Sequence, residues 1–393
     1  MEIRFSKRIP TDFTPNEISG LVEELKRNGT PFLDLTVSNP TQAGFQPEAE
    51  ELRKCLSGIS PGAYEPDPRG LASARTEVAS WLSGGPFTAD PNALWLTSGT
   101  SEAYGFLFKL FGDAGKEVAV PQPSYPLFEH LLSLEGLEAR PYRLRYAEGW
   151  KLDFDSLEAV LADGARLVVV VHPNNPTGSF VNPPEMARLI RLCRERGAGL
   201  VVDEVFLSYD FLGKTRPSFL SAKTEVPIFV LDGLSKRFGL PQMKLSWIYL
   251  NAPTGLRREI EKRLDWIADA YLSLSTPVQQ ALPHLARVGQ SVHDRIRERV
   301  CGNYRTLEQA VRGQRGVQNV SGEGGWSAVL RLDRVSDEER FVRDLLMEDR
   351  VLVQPGYFFD LPFPASVVIS FLPPEPDFQE GMKRLLGRIN RSG

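Results

Sequence analysis

Short apolar runs alternate with amphipathic stretches through most of this chain, and this alternation constrains the fold more than any other feature. The clearest run is Arg166–Val171, which ends in four consecutive valines. Leu200–Val202 and Ile228–Leu231 are similar, and Pro184–Arg196 has the spacing of a helix that Gly197 ends. Continuous apolar runs of this length are typical of parallel strands buried on both faces. The pattern predicts an α/β fold with a mostly parallel sheet and helices on both of its faces.

The final third of the chain changes character and predicts a second, smaller domain. Beyond Gly325, apolar runs interleave with helical patterns in an α+β arrangement, and a long amphipathic helix over Val292–Val311 is predicted to connect the domains. A length of 393 residues also exceeds what one hydrophobic core usually serves. We therefore predict an N-terminal segment that packs with the small domain, a large domain and a small C-terminal domain, over residues 1–45, 46–285 and 286–393.

Charge and cysteine content exclude several classes of protein. The chain has 46 Lys and Arg residues and 50 Asp and Glu residues, so its net charge is −4. It has no excess of positive charge of the kind that binds nucleic acid. Cys55, Cys193 and Cys301 lie far apart without metal-ligand spacing, which favours free thiols in a reducing cytosol. No signal peptide is evident, and no apolar run approaches the roughly 20 residues that span a bilayer. We expect a cytoplasmic protein that binds neither nucleic acid nor membrane nor metal.

One lysine directly follows a predicted buried strand. The run that begins at Ile228 is broken by Gly233 and leads into Leu-Ser-Lys236. Open α/β sheets bind ligands beyond the carboxyl ends of their strands. An exposed lysine has a pKa of about 10.4, whereas a buried one has a lower pKa and forms an imine with an aldehyde more readily. Because Ser-Lys is a common dipeptide, the hypothesis that Lys236 is catalytic depends on the rest of the chain.

Four other stretches also follow predicted strands. Thr97–Glu102 combines a hydroxyl-rich glycine turn with a helix start, which favours an anion such as phosphate, although simple helix capping would give the same pattern. Tyr125 offers a ring that stacks on a flat cofactor or packs in the core. His172–Gly178 holds an asparagine pair between prolines. Asp203 places a carboxylate where burial is costly unless a cation lies nearby.

Asn174-Asn-Pro-Thr-Gly178, Asp203-Glu-Val and Ser235-Lys236 occur in an order that resembles the fold-type I pyridoxal-phosphate enzymes, and among them the class I/II aminotransferases of the aspartate aminotransferase type. The resemblance extends over roughly residues 30 to 390. It implies an enzyme that uses pyridoxal 5'-phosphate to move an amino group between an amino donor and a 2-oxo acid. Lys236 then resembles the lysine that holds the cofactor as a Schiff base and moves a proton.

The same resemblance implies roles for further residues. Asp203 matches the carboxylate that keeps the pyridine nitrogen protonated, Asn175 the amide that contacts the ring oxygen and the substrate, and Tyr125 the ring stacked on the cofactor. Asn39 is implied as a substrate contact. Tyr64 falls where the family sends a tyrosine into the neighbouring subunit's phosphate site, which implies a homodimer. Phosphate contacts are implied for Gly99, Thr100, Ser101 and Ser235.

Three positions depart from the family pattern. Lys244 stands where the family has an arginine on the phosphate, so the charge is kept and the bidentate fork is lost. Phe206 replaces a tyrosine that also bonds the ring oxygen. Val368 replaces the arginine that usually grips the substrate carboxylate. Either another arginine takes that role or the substrate is unusual. Arg69 is preferred over the alternatives Arg143, Arg145 and Arg216, although a simple pair between Arg69 and Asp67 is also open.

Two other functions remain open at the level of the sequence. A β-lyase, decarboxylase or cyclase would keep the cofactor and break a different bond, and the loss of the arginine at Val368 leaves room for this. A transcription regulator with an aminotransferase-like sensor domain needs a DNA-binding module before that domain. The net charge of −4 and the start of the matching region near residue 30 disfavour this second alternative.

Overall fold

A computed structural model describes residues 3–60, 62, 64–113 and 116–392 of the chain. Strands and helices alternate along most of it. The strands are β1 Leu33–Asp34, β2 Leu94–Thr97, β3 Glu117–Gln122, β4 Glu138–Tyr146, β5 Trp150–Leu152, β6 Leu167–Val171, β7 Gly199–Asp203, β8 Ile228–Gly233, β9 Ser246–Asn251, β10 Val317–Asn319, β11 Ser327–Leu332, β12 Val351–Leu352, β13 Gln354–Pro355 and β14 Ser366–Ser370. The helices are α1 Glu17–Arg27, α2 Ala49–Ser57, α3 Ala72–Leu82, α4 Thr100–Phe111, α5 Leu127–Glu135, α6 Phe154–Ala162, α7 Pro183–Arg196, α8 Leu234–Arg237, α9 Thr254–Asp269, α10 Thr276–Val311, α11 Glu338–Asp349 and α12 Glu375–Arg391.

Eight strands form one large sheet in the order β2-β9-β8-β7-β6-β3-β4-β5. The central strands β8, β7, β6, β3 and β4 run parallel, whereas β9 is antiparallel to both β8 and β2, and β5 is antiparallel to β4. The predicted α/β class with a mostly parallel sheet is therefore confirmed. The antiparallel β9 was not anticipated, because the direction of a strand depends on its connection and not on its apolar pattern.

Helices cover both faces of this sheet, as the continuous apolar strands require. Val168 and Val170 of β6 belong to one apolar cluster, while Val169 and Val171 belong to a second cluster on the opposite face. All five residues of β6 are buried. Alternate side chains of a strand point to opposite faces, so an all-valine run is stable only where both faces are covered.

A smaller antiparallel sheet, in the order β10-β11-β14-β13, forms the C-terminal part of the molecule. The helix α10 leads to it and starts at Thr276, earlier than the predicted start at Val292, because the amphipathic pattern continues through Pro283 inside the helix. Ile18 and Leu35 of the N-terminal segment share an apolar cluster with Phe378 and other residues of this part. The proposed domain boundaries stay a prediction. Within the described ranges, no helix is both long and apolar enough to cross a bilayer.

Candidate functional site

The stretches singled out in the sequence converge on one edge of the large sheet. Asp203 ends β7 and lies in register beside Val171, the last residue of β6. Gly233 ends β8 and pairs with Ser246, which in turn pairs with Thr97 at the end of β2. The loops that follow β2, β6, β7 and β8 therefore leave the sheet on the same side, together with the turn that enters β9. This is the edge where open parallel sheets bind ligands.

Lys236 lies in the short helix α8, directly after β8, with its amine largely shielded from solvent. Burial lowers the pKa of its ammonium, and the negative charge of Asp203 partly opposes this effect. The backbone oxygen of Lys236 accepts a hydrogen bond of 2.7 Å from the Tyr209 hydroxyl. The arrangement gives an amine that is held in place and is neutral more often than an exposed lysine would be, which is the form that attacks a carbonyl.

Asp203 is buried and accepts two hydrogen bonds. The Tyr104 hydroxyl donates to one carboxylate oxygen at 3.0 Å, and the backbone N–H of Val205 donates to the other at 3.1 Å. Burial raises the pKa of Asp203 to about 6, against the opposing effect of these donors. A carboxylate in this setting is suited to a cationic partner such as a protonated ring nitrogen, since such a partner offsets the cost of its burial.

Tyr104 is a site residue that the sequence did not identify. It lies on α4 beside the apolar positions that the helical pattern assigned to the core, and 3% of its surface is exposed. Its ring packs edge-on against Phe128 at 5.3 Å, as a core aromatic does. The only signal for its function is the hydroxyl itself, because a buried phenol needs a hydrogen-bond partner.

The turn after β2 has the properties of an anion cradle. The helix α4 begins at Thr100, and its N-cap residue Gly99 provides no side-chain cap. A Cβ atom placed on Gly99 would lie 3.5 Å from the Lys244 amine, so that cation faces the helix start. Thr100 is half-buried and Ser101 is exposed at the same turn. Free backbone N–H groups, the helix dipole and a lysine together favour a phosphate.

The two asparagines after β6 have different surroundings. Asn174 is buried, donates to the backbone oxygen of Pro123 at 3.3 Å and accepts from the Thr177 hydroxyl at 2.9 Å. Asn175 is only half-buried at the same edge of the sheet. Asn174 therefore holds the shape of the loop, whereas Asn175 keeps part of its surface accessible.

The other predicted contacts lie in loops. Tyr125 follows β3, and 49% of its surface is exposed. Tyr64 is 68% exposed, and Ser235 is half-buried beside Lys236. The side-chain oxygen of Asn39 accepts from both the backbone and the hydroxyl of Thr41, so part of this amide stabilises its own turn.

The arginine predicted to bind the substrate carboxylate is occupied elsewhere, which corrects the preference for Arg69. Its guanidinium forms two hydrogen bonds with Asp265, at 2.6 and 2.7 Å, and lies over the ring of Trp95. One oxygen of Asp67 accepts the backbone N–H of Arg69 and the other pairs with Arg75 at 3.4 Å, so the simple ion pair between Asp67 and the Arg69 guanidinium is absent. The alternatives are also paired with carboxylates, Arg143 and Arg145 with Asp153, and Arg216 with Asp210 and Glu323.

Val368, which stands where the family has the arginine, is buried among apolar residues. It is 1% exposed in β14, in register with Val329 of β11, and belongs to the apolar cluster that contains Phe359 and Leu361. Its neighbours Val367 and Ile369 belong to the other cluster, on the opposite face of the small sheet. The position that the family uses for a charged side chain is thus part of an apolar contact.

A lysine with a shielded amine and a buried aspartate, at the ends of adjacent parallel strands and next to a phosphate cradle, define an enzyme of the fold-type I pyridoxal-phosphate class. The family profile described as aminotransferase class I and II matches residues 30–385, and the chain belongs to this family. It is therefore a pyridoxal-phosphate-dependent transferase that moves an amino group between an amino donor and a 2-oxo acid.

Relatives and solved structures agree with this assignment. An alanine aminotransferase of Mycobacterium tuberculosis is 26% identical over 94% of this chain and 89% of its own length. A glutamate-pyruvate aminotransferase of Escherichia coli is 24% identical over 92% and 91%. The structure of an alanine aminotransferase from Pyrococcus furiosus has the same fold, with a TM-score of 0.88, 23% identity and coverage of 99% and 100%. The lyase, decarboxylase or cyclase alternative is not favoured by these similarities.

Proposed function

We propose that Lys236 is the catalytic lysine of this aminotransferase and that Asp203, Asn175 and the turn at Gly99 hold its cofactor. The observation that carries the proposal is the pair of buried groups, Lys236 and Asp203, at the ends of β8 and β7. Pyridoxal phosphate, when bound, withdraws electrons from the carbon that carries the amino group. The residues of the chain bind and orient it and move the protons.

Lys236 acts as nucleophile and proton carrier. Its lowered pKa leaves a larger fraction of neutral amine at neutral pH, which then takes a proton at Nζ and returns it. The hydrogen bond from Tyr209 to the backbone oxygen of Lys236 fixes the start of the side chain. The reach of the amine is therefore limited to the space beyond the end of β8.

Asp203 balances the charge of a protonated ring nitrogen. The Tyr104 hydroxyl and the Val205 N–H favour its charged form, which burial alone would disfavour. A cation beside Asp203 acts in the same direction as these two donors and lowers its pKa, so that the carboxylate stays ionised near neutral pH. Thr100, Ser101, Ser235 and Lys244 supply the donors and charge for the phosphate, and Tyr125 supplies the stacking ring.

In this proposal the substrate carboxylate is bound without an arginine at position 368, where Val368 is buried in an apolar cluster. The relatives named as alanine and glutamate-pyruvate aminotransferases suggest amino acid donors and small 2-oxo acid acceptors. Asn175 and Asn39 then contact the substrate through neutral hydrogen bonds. Such contacts are weaker than a bidentate pair, which predicts a modest affinity for simple amino acids.

The same proposal includes a cytoplasmic homodimer with shared active sites. Tyr64 is 68% exposed and lines a small cavity with Leu272 and Thr276, near the start of α10. Trp266, on α9, is 78% exposed, and Tyr271 is 48% exposed just beyond that helix. Exposed aromatic groups of this size are typical of a surface that meets another protein. Light scattering tests the dimer, and a fully active monomer would contradict it.

An absorption spectrum of the purified enzyme tests the proposed roles. The enzyme is titrated with a panel of α-amino acids and amines, and the Lys236→Ala variant is the control. We expect a band from the lysine-bound cofactor that gives way to the aminated cofactor with α-amino acids and returns with a 2-oxo acid. An unchanged band in Lys236→Ala, or amination at the wild-type rate by this variant, would contradict the role of Lys236.

A further inference from the structure

Two aromatic rings face the Lys236 amine. The centroid of the Trp326 ring lies 5.1 Å from Nζ, and that of Phe206 lies 5.8 Å away. The two rings pack against each other at 5.2 Å with an interplanar angle of 69°. Trp326 is 3% exposed and Phe206 is 8% exposed, so both contacts are shielded from water. The negative face of an aromatic ring attracts an ammonium group within about 6 Å, more strongly when water is excluded.

Trp326 comes from the C-terminal part of the chain, just before β11, whereas Lys236 follows β8. The segment that carries it, Gly322–Gly325, is fixed by backbone hydrogen bonds to the loops of the large sheet. The Gly322 N–H donates to the backbone oxygen of Thr177 at 2.5 Å, and the Gly325 N–H donates to the backbone oxygen of Tyr209 at 2.9 Å. The glycines permit this close approach, because a Cβ atom on Gly324 would lie 2.6 Å from the Phe180 ring.

We propose that Trp326 is a positioning residue for Lys236, and that its ring, together with Phe206, holds the protonated lysine side chain toward the cofactor site. The inference rests on the proposed role of Lys236. Trp326 follows the segment Gly322–Gly325, which is hydrogen-bonded to the loops after β6 and β7. The orientation of the lysine therefore depends on the contact between the C-terminal part of the chain and the large sheet.

The charged neighbours of Lys236 set the background for this effect. Asp203 is the carboxylate whose charge raises the pKa of the lysine. Asp232, on β8 itself, is paired with Arg237 at 2.7 Å, so these charges largely cancel. Burial raises the pKa of Tyr209 well above its ordinary value, and the phenol stays neutral. Trp326 and Phe206 therefore add their attraction to that of Asp203.

The test measures how fast apoenzyme reacts with pyridoxal phosphate as a function of pH, by the growth of the lysine-bound absorption band. Only the neutral amine reacts, so the pH at half-maximal rate reports the pKa of Lys236. Loss of a shielded cation–π contact corresponds to a fall of about 0.5 to 1.5 pH units. We expect Trp326→Leu to lower the midpoint by this amount and Trp326→Phe to keep it within about 0.3 units of wild type.

Phe180→Leu is the matched control. Phe180 lies at the same glycine contact, but its ring faces Arg216 at 4.2 Å and not Lys236. We expect this variant to keep the wild-type midpoint. An unchanged midpoint in Trp326→Leu would overturn the inference, as would an equal fall in Phe180→Leu or Trp326→Phe, which would indicate a structural effect. Should Trp326→Leu fail to fold, Phe206→Leu must lower the midpoint in the same direction, and an unchanged value there overturns the inference.

Lys236→Ala separates this inference from the proposed function. If Lys236→Ala reacts with pyridoxal phosphate like the wild type, the lysine has been misassigned and both proposals fail. If Lys236→Ala is inert while Trp326→Leu titrates like the wild type, the proposed function stands and only the positioning role is rejected.

Discussion

Tyr104→Phe removes one hydroxyl from the core and leaves the ring packing intact. In the wild type this hydroxyl donates to Asp203 at 3.0 Å, and both groups are buried. A hydrogen bond to a charged group contributes about 1.5 to 3 kcal/mol. Because the bond stabilises the ionised form, its loss raises the pKa of Asp203 by about 1 to 2 units from its value of about 6.

The pH dependence of the free energy of unfolding follows from the pKa of Asp203 in the folded and the unfolded protein. The pKa of Asp203 is higher in the folded state than its ordinary value of 3.8, so the unfolded chain releases its proton first. The contribution of this group to the free energy of unfolding is therefore highest at low pH and falls as pH rises through about 6. In Tyr104→Phe the fall continues to higher pH, so the difference between variant and wild type grows from about pH 5 to about pH 8.

Tyr142→Phe provides a matched control, since Tyr142 is 1% exposed and donates to the backbone oxygen of Val169 at 2.8 Å. This loss of a neutral hydrogen bond costs about 1 kcal/mol at every pH. Urea unfolding of the apoenzymes between pH 5 and 8 measures both effects. Equilibrium titration with pyridoxal phosphate at pH 8 should show a loss of affinity of about 10- to 100-fold for Tyr104→Phe only.

Equal behaviour of the two variants would refute this reasoning. If the stability difference of Tyr104→Phe does not change with pH, its hydroxyl does not act on the ionisation of Asp203. If both variants retain pyridoxal phosphate equally, the contact from Tyr104 does not support the cofactor site, and the carboxylate is stabilised by other groups.

Three further predictions concern structural contacts. Arg69→Ala breaks the paired hydrogen bonds to Asp265 and should lower the free energy of unfolding by about 1 to 3 kcal/mol. The KM for amino donors should not change, and a raised KM would restore Arg69 as a substrate contact. Gly178→Ala, with a Cβ only 2.4 Å from a backbone oxygen, should lower the free energy of unfolding in urea by at least about 2 kcal/mol more than Gly213→Ala. Gly213 has a similar positive φ, but its Cβ would meet only the end of the Arg297 side chain at 4.0 Å, so equal costs would contradict the contact at Gly178. Burial raises the pKa of Glu204 to about 8, so the free energy of unfolding should fall from pH 6 to 8 in the wild type and fall less in Glu204→Gln. Equal falls in the two proteins over this pH range would disprove the prediction.

Much of the fold was predictable because it depends on local patterns. The valine run of β6 is stable only with both faces covered, and its neighbours β7 and β8 have the same apolar character. Helix ends also follow local rules: Asn182 and Glu185 form a capping box at the start of α7, and Gly197 ends it in the left-handed conformation. The start of α10 was misplaced, since an amphipathic pattern does not show where a long helix begins.

The candidate site was predictable only in part. Lys236 and Asp203 could be predicted to lie at one edge of the sheet because parallel strands bring their carboxyl ends together, whereas their catalytic roles stay a proposal. Tyr104 and Trp326 were missed, because an aromatic residue in an apolar pattern does not show which polar group it will meet. Arg69 was assigned to the wrong partner, since Asp265 lies 196 positions away in the chain.

The sequence by itself determined the alternation of strands and helices, the order of the motifs and the family, because apolar periodicity and short motifs are properties of neighbouring residues. The tertiary structure decided which partner each polar or charged group meets: Asp265 for Arg69, Tyr104 for Asp203, and two aromatic rings for Lys236. Burial makes the choice of partner decisive for an ionisable group, since the charged form is stable there only beside a matching charge, donor or ring. Such pairs join distant segments, so they form only when the whole chain is packed.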